Sequence, residues 1–171
     1  ACEATAYGAD VFRGSEDDVL DRYFCAARAV SADVIIRITS DSPLFDPALL
    51  TAMLTKFHEL LARGVRVDYF SNTLVRTYPL GLGAEIFTKD ALSRAYSETT
   101  KEYEREHVTP YFYQHPELFS LHSFTSPVDI SRYRWTLDTP EDFRMIESVY
   151  RAGIDLKFLV DDNPRYIFDR M

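Results

Sequence analysis

The sequence predicts an α/β fold with a mixed, mostly parallel sheet. Two observations carry the parallel part. Short strand-like runs alternate with amphipathic helical stretches through the first half of the chain, the pattern of parallel strands joined by right-handed crossovers. Residues 33–39 (DVIIRIT) form a short β-branched run of the kind found in buried strands. A third observation adds the mixture: strand-like runs late in the chain lie closer together, which leaves room for an antiparallel piece.

The elements follow in order. Val11, Phe12 and Arg13 read as the end of a short strand. Ser15 to Asp18 read as a helix start, with a capping serine and three acids where the helix dipole favours negative charge. Val19, Leu20, Tyr23, Phe24, Ala27 and Val30 then give one apolar face at helical spacing. Asp46 and Pro47 open the next helix as cap and first turn. Leu49, Leu50, Met53, Leu54, Phe57, Leu60 and Leu61 form its buried stripe, and Gly64 closes it. Residues 67–70 read as a strand, 71–83 as a polar and aromatic loop, 84–87 as a strand, and 88–97 as a helix. Helical stretches follow at 102–108 and 109–114, then strands at 118–124 and 133–137. Thr139, Pro140 and Glu141 open a last long helix that Gly153 closes, and 158–160 read as one further helical turn before Asn163-Pro164.

The totals bound the function. The chain has 171 residues and a net charge of −8, with 46% hydrophobic residues, which suits one globular domain spanning 1–171. The acidic balance argues against nucleic acid and against an anionic membrane surface as partners. No apolar run approaches the ~20 residues of a membrane span. Cys2 and Cys25 are too few for a disulfide framework or a zinc cluster and read as free thiols of a reducing cytoplasm, the expected location. Only 6 glycines are present, against an average usage of about 7%, and no glycine-rich phosphate loop can be assembled from them.

In an open α/β sheet, ligands bind beyond the carboxyl ends of the strands. Asp41, in Thr39-Ser40-Asp41-Ser42-Pro43, follows one strand, and Asp138, in Leu137-Asp138-Thr139-Pro140, follows another. If those strands end side by side, the two carboxylates suit a hard divalent ion, because Mg²⁺ takes one or two carboxylates and leaves its other positions to phosphate oxygens and water. Spacing alone leaves this open beside a plain turn or cap role. The loop at 71–85 exceeds the usual connection of ~4–6 residues. It offers Asn72, Arg76, Tyr78, Gly81 and Glu85 as substrate-binding candidates. Glu106 and His107 are further candidates, at a break between two helices. An ordinary packed loop and a structural histidine are the alternatives.

Five stretches, taken in order, resemble the spore coat polysaccharide biosynthesis protein F family of cytidylyltransferases, which is related to the sugar-acid CMP synthetases. They are Val11-Phe12-Arg13-Gly14-Ser15-Glu16-Asp17-Asp18-Val19-Leu20-Asp21-Arg22-Tyr23, Arg37-Ile38-Thr39-Ser40-Asp41-Ser42-Pro43-Leu44, Tyr69-Phe70-Ser71-Asn72-Thr73, Arg105-Glu106-His107-Val108-Thr109-Pro110-Tyr111 and Arg134-Trp135-Thr136-Leu137-Asp138-Thr139-Pro140-Glu141-Asp142. The resemblance implies a glycosyltransferase-A-like three-layer sandwich. It implies a nucleotidyltransferase that joins a sugar or sugar acid to a nucleoside triphosphate, with CTP expected, and releases pyrophosphate for surface or spore-coat polysaccharide synthesis. Mg²⁺ or Mn²⁺ would be held by Asp41 and Asp138, the catalytic pair. Arg13, Gly14 and Ser15 would touch the nucleotide. A homodimer belongs to the same expectations. The family's first strand and nucleotide loop have no counterpart in these residues, so this chain alone is expected to be incomplete for catalysis, and Leu80 and Gly83 stand where the family usually carries acids. Two other readings compete: a non-catalytic binding or assembly module, and a glycosyltransferase on the same fold. The second is disfavoured because no Asp-x-Asp triplet follows the strand at 33–39.

Overall fold

A computed structural model describes residues 2–153. In chain order it contains α1 (Cys2–Ala6), α2 (Val19–Ala29), β1 (Val34–Arg37), α3 (Pro47–Ala62), β2 (Tyr69–Ser71), β3 (Glu85–Thr88), α4 (Lys89–Glu98), α5 (Glu102–His107), α6 (Pro110–Gln114), β4 (Leu121–Ser123) and α7 (Pro140–Arg151).

The sheet runs β1-β3-β2-β4. β3 is antiparallel to both β1 and β2, and β4 is parallel to β2. The sheet is therefore mixed, as expected, but not mostly parallel in its pairings. β1, β2 and β4 do run the same way. The reversed β3 lies between β1 and β2, so these two never bond to each other.

Side chains alternate across the strands, and the alternation builds two cores. Phe70 and Ile86 face one side, where Leu49, Met53 and Phe57 of α3 and Ile146 and Val149 of α7 pack on them. Tyr69 and Phe87 face the other side, against Leu20 of α2, Ala91, Leu92 and Ala95 of α4, and Phe112 of α6. This is the three-layer sandwich of the sequence reading. Tyr69, Phe70, Ile86 and Phe87 are all essentially inaccessible to solvent. A fully buried large apolar side chain contributes on the order of 1.5–3 kcal/mol, so these two adjacent strands anchor both layers.

The helix signals acted where they were read. Asp46 caps α3, its carboxylate accepting from Ala48 N at 2.7 Å, and Gly64 ends it with φ +74°. Thr88 caps α4 by accepting from Ala91 N at 3.2 Å. Four expectations are corrected. The run at 33–39 is not a buried strand: β1 lies at the sheet edge, and Val34, Ile36 and Ile38 are exposed. Residues 11–13 form no strand: Val11 and Phe12 lie in exposed coil. The cap of α2 is Asp18, which accepts from Asp21 N at 2.9 Å, while Ser15 Oγ accepts from Asp18 N one turn earlier. Residues 133–137 contribute a single bridge, Leu80 to Arg134, because they meet the irregular 72–84 loop rather than a strand. The short helix α1 was not anticipated. The turn expected at 158–160 lies outside the described residues.

At the start of α7, Thr139 Oγ1 accepts from Asp142 N at 3.1 Å, and Asp142 Oδ2 accepts from Thr139 N at 2.9 Å and Asp138 N at 3.0 Å. This is a capping box closed by an acid. The bond from Arg134, joined by these backbone amides, holds the Asp142 carboxyl far below the usual carboxylate range. A depressed carboxyl contributes stability above its unfolded pKa of ~3.9 and loses it as pH falls toward the folded value. Thermal melts of the parent and Asp142→Asn should therefore differ by a constant margin from pH 7 to about 4. The margin should narrow below that.

Candidate active site at the carboxyl edge of the sheet

β1, β2 and β4 all end at one edge, and β3 begins there. A cavity of about 710 Å³ opens at this edge. Its floor is ionic. Arg37, the last residue of β1, pairs with Glu85, the first of β3 and its cross-strand partner. Glu85 Oε1 also accepts from the Tyr69 hydroxyl at 2.6 Å. Burial and the Glu85 charge push the Tyr69 phenol far up, so it stays a donor. Burial opposes the Arg37 charge, but Glu85 outweighs it, and the Arg37 pKa sits above its ordinary value.

The loop between β2 and β3 makes one side. Asn72 is buried; its Nδ2 donates to Leu82 O at 2.7 Å and its Oδ1 accepts from Ala84 N at 2.9 Å, so this side chain ties the loop's two limbs together. Leu80 N donates to Tyr133 O at 3.1 Å, and Trp135 N donates to Leu80 O at 2.7 Å. Gly81 fits this contact through its φ of +96° and its missing side chain: a Cβ there would lie 2.6 Å from the Trp135 carbonyl. Arg76 and Tyr78 line the cavity, with one Arg76 nitrogen donating to Ser131 O at 2.9 Å.

One backbone bond joins the turns that carry the two acids. Leu137 N donates to Asp41 O at 2.8 Å, which sets Asp138 one residue beyond Asp41's own turn. Asp41 lines the cavity with Thr39, Ser42 and Thr136, whereas Asp138 lies just outside the lining. Thr39 and Ser42 hydroxyls both donate to Asp41 Oδ1. Arg134 donates to Asp138 Oδ2 at 2.5 Å. Among the described residues the second oxygen of each carboxylate accepts no hydrogen bond. No group of three or more His, Cys, Asp or Glu side chains gathers as a metal site among the described residues. Two hard carboxylates with an open oxygen each still fit the demand of Mg²⁺, which keeps most of its positions for water and phosphate.

The opposite wall comes from α5 and α6. His107 lines the cavity beside Tyr103, with ring centroids 4.5 Å apart and near-perpendicular planes. Tyr113 joins them, its phenol pushed up to about 12 by burial and by Tyr103. Thus Asn72, Arg76, Tyr78, Gly81, Glu85, His107 and Asp41 all reach one cavity. Glu106 is exposed and outside the lining, as are Arg13, Gly14 and Ser15. Ser15 is engaged locally: its carbonyl accepts from Arg22 at 2.9 Å. Sequence reasoning missed Tyr103, Thr109, Tyr113, Thr73 and Thr136. The i, i+4 spacing of Tyr103 and His107 on one helix was the available signal for the first.

One sheet between two helix layers, with a polar cavity at the carboxyl ends of its strands, gives an α/β nucleotide-sugar-transferase-like architecture. The family model "Cytidylyltransferase" matches residues 1–159, and the chain belongs to that family. Curated relatives include the uncharacterized protein MJ1063 of Methanocaldococcus jannaschii, 38% identical over 90% of this chain and 63% of its own length. Another is the spore coat polysaccharide biosynthesis protein SpsF of Bacillus subtilis, 35% identical over 85% of this chain and 59% of its own length. The chain thus spans about three-fifths of these relatives. Among solved structures, a cytidylyltransferase from Leptospira borgpetersenii superposes with a TM-score of 0.83 at 35% identity, covering 90% of this chain and 63% of the other. CMP:2-keto-3-deoxy-manno-octonic acid synthetase, solved with CTP, superposes with a TM-score of 0.58 at 14% identity over 88% of this chain and 76% of its own, a likeness of fold. Among the described residues no helix is long and apolar enough to cross a membrane.

Gly81→Ala should lose about 1–3 kcal/mol through backbone conformation alone, with the overlap at Trp135 added, as read by urea unfolding. Gly83→Ala has an ordinary φ and would meet only the Thr73 methyl at 3.1 Å, so it should lose less.

Proposed function

We propose that this chain is the sugar- and metal-binding part of a cytidylyltransferase that activates a sugar or sugar acid with CTP and releases pyrophosphate, in surface polysaccharide synthesis. The observation that carries the reading is the Leu137 N to Asp41 O bond, which joins the turn of Asp138 to that of Asp41 in the lining of a cavity rich in hydroxyls, an amide and an ion pair. Family membership and the relationship to SpsF support the same chemistry.

In the proposed reaction a sugar oxygen bonds to the α-phosphorus of CTP, the bond to the α–β bridging oxygen breaks, pyrophosphate leaves, and the hydroxyl proton passes to solvent. Phosphoryl transfer of this kind depends on positioning and electrostatics, so no protein nucleophile is needed. Asp41 and Asp138 would hold Mg²⁺ or Mn²⁺; when bound, the ion offsets charge on the triphosphate. The chain's own contribution is placement. Thr39 and Ser42 orient the Asp41 carboxylate by donating to one oxygen. Asn72 and Gly81 keep the loop closed on the 134–136 segment that carries Asp138. Arg76, Tyr78 and the Arg37–Glu85 pair offer hydrogen bonds to sugar hydroxyls.

The test is pyrophosphate release, with CTP, Mg²⁺ and a panel of sugars and sugar acids, by a protein of the relatives' length that contains these residues. The expected result is Mg²⁺-dependent release that Asp41→Asn lowers by about 10²–10³-fold, the scale of losing one electrostatic contact to a transition state. Release of a nucleoside monophosphate or diphosphate from a nucleotide sugar would assign a glycosyltransferase instead. No turnover with any acceptor would overturn the transferase reading.

A further inference from the structure

Val108 sits between α5 and α6 with φ +70° and ψ −57°. A β-branched residue at positive φ is an outlier. Thr109 N donates to His107 O at 2.8 Å across it, which makes residues 107–109 a γ-turn of the rare, strained form. Such strain persists only where the surroundings over-determine it, and it clusters at functional sites.

The surroundings here do over-determine it. The Val108 side chain is fully buried among Tyr69, Phe87 and Phe112. Its N–H donates to Glu104 O at 3.0 Å. Arg105 clamps α5 from outside, donating to Asp18 at 2.6 Å and to the Tyr96 and Thr99 carbonyls. The turn has a visible consequence. It breaks the helix so that Tyr103 and His107 on one side of it and Tyr113 on the other reach the same cavity wall. Tyr113 lies within electrostatic reach of Tyr103, Glu85 and Arg37. Tyr103 and Tyr113 are 54% and 40% exposed, so apolar ring faces with polar tips stand open to the cavity.

We propose that the γ-turn at Val108 is a positioning device that sets Tyr103, His107 and Tyr113 as a platform for the acceptor sugar ring. Ring faces suit the C–H face of a sugar, and the neighbouring Arg37–Glu85 pair supplies a donor and an acceptor for adjacent hydroxyls. A sugar carboxylate would face away from Glu85. The proposal rests on the cytidylyltransferase reading for the word acceptor, but sugar binding itself can be measured without turnover.

The test uses NMR titration of the full chain with three separate probes: mannose, 2-keto-3-deoxy-manno-octonic acid and CTP. At least one of the two sugars should shift the Tyr103, His107 and Tyr113 ring resonances, and CTP alone should not. Tyr103→Leu, at an exposed position that preserves folding, should raise the sugar Kd about tenfold, and Tyr103→Phe should largely restore it. Val108→Gly, which frees the turn, should weaken sugar binding similarly. Val108→Ala, which keeps a Cβ and empties only the core, should lower Tm and leave sugar affinity within twofold. Ring shifts with sugar but no pyrophosphate release would support the platform and overturn the transfer reading. Pyrophosphate release with no sugar-induced ring shifts would do the reverse. Unchanged sugar affinity in Val108→Gly and Tyr103→Leu, or ring shifts with CTP alone, would overturn the platform.

Discussion

The insertion of β3, reversed, between β1 and β2 governs most of what lies around it. Because β3 runs against both neighbours, its first residue meets their last residues at the same edge. Glu85 is therefore the cross-strand partner of both Arg37 and Ser71. Burying that carboxylate alone would be costly, since an unpaired charge loses its solvation with nothing to offset it. Arg37 from one neighbour and the Tyr69 hydroxyl from the other meet it instead. The floor of the cavity is thus a consequence of strand order. The same order forces the chain between β2 and β3 to leave the sheet, turn and return within residues 72–84. That excursion forms the side of the cavity that touches the 133–136 segment.

Local signals were legible in the sequence and non-local ones were not. Asp46, Gly64, Thr88 and Thr139 marked helix ends because caps act within a few residues of themselves. Strand order depends on partners tens of residues apart, and alternation of elements says nothing about a reversed strand placed between two parallel ones. Residues 133–137 alternate like a strand, yet the loop opposite them offers one bridge, so pattern exceeded pairing. Asp41 was readable as a carboxylate at a strand's end, although β1 proves to be an edge strand with only Ile35 buried. The cavity's aromatic wall was harder. Nothing in a valine at 108 announces a positive φ, and without that turn Tyr113 has no sequence relation to Tyr103 and His107.

Two kinds of residue share the cavity, and their hydrogen bonds separate them. Asn72 faces the space but, from the outgoing limb of the loop, donates to Leu82 and accepts from Ala84 on the returning limb, so its first duty is architecture. Gly81 serves the same end through absence of a side chain. Tyr103, His107 and Tyr113 are instead exposed, and within the wall they form Tyr103 and His107 meet ring to ring. A loop candidate chosen from composition mixes these classes, because amides, glycines and aromatics suit both.

Arg134 shows how the acidic end can change partners without leaving a charge stranded. It donates to Asp138 at 2.5 Å and to Asp142 at 3.2 Å. Asp142 is fixed in the capping box by two backbone amides and does not move with Asp138. Under the proposed function Asp138 would turn from Arg134 toward a cation. Arg134 would then keep Asp142, so the switch would exchange one ion pair for another contact and leave no isolated guanidinium. Asp41 needs no such exchange, since its partners are neutral hydroxyls that orient one oxygen and leave the other open. The two acids are therefore unequal. Asp41 stands ready in the lining, and Asp138 is held beside it by a pairing weak enough to yield, as half-exposed ion pairs typically contribute only about 0–1 kcal/mol.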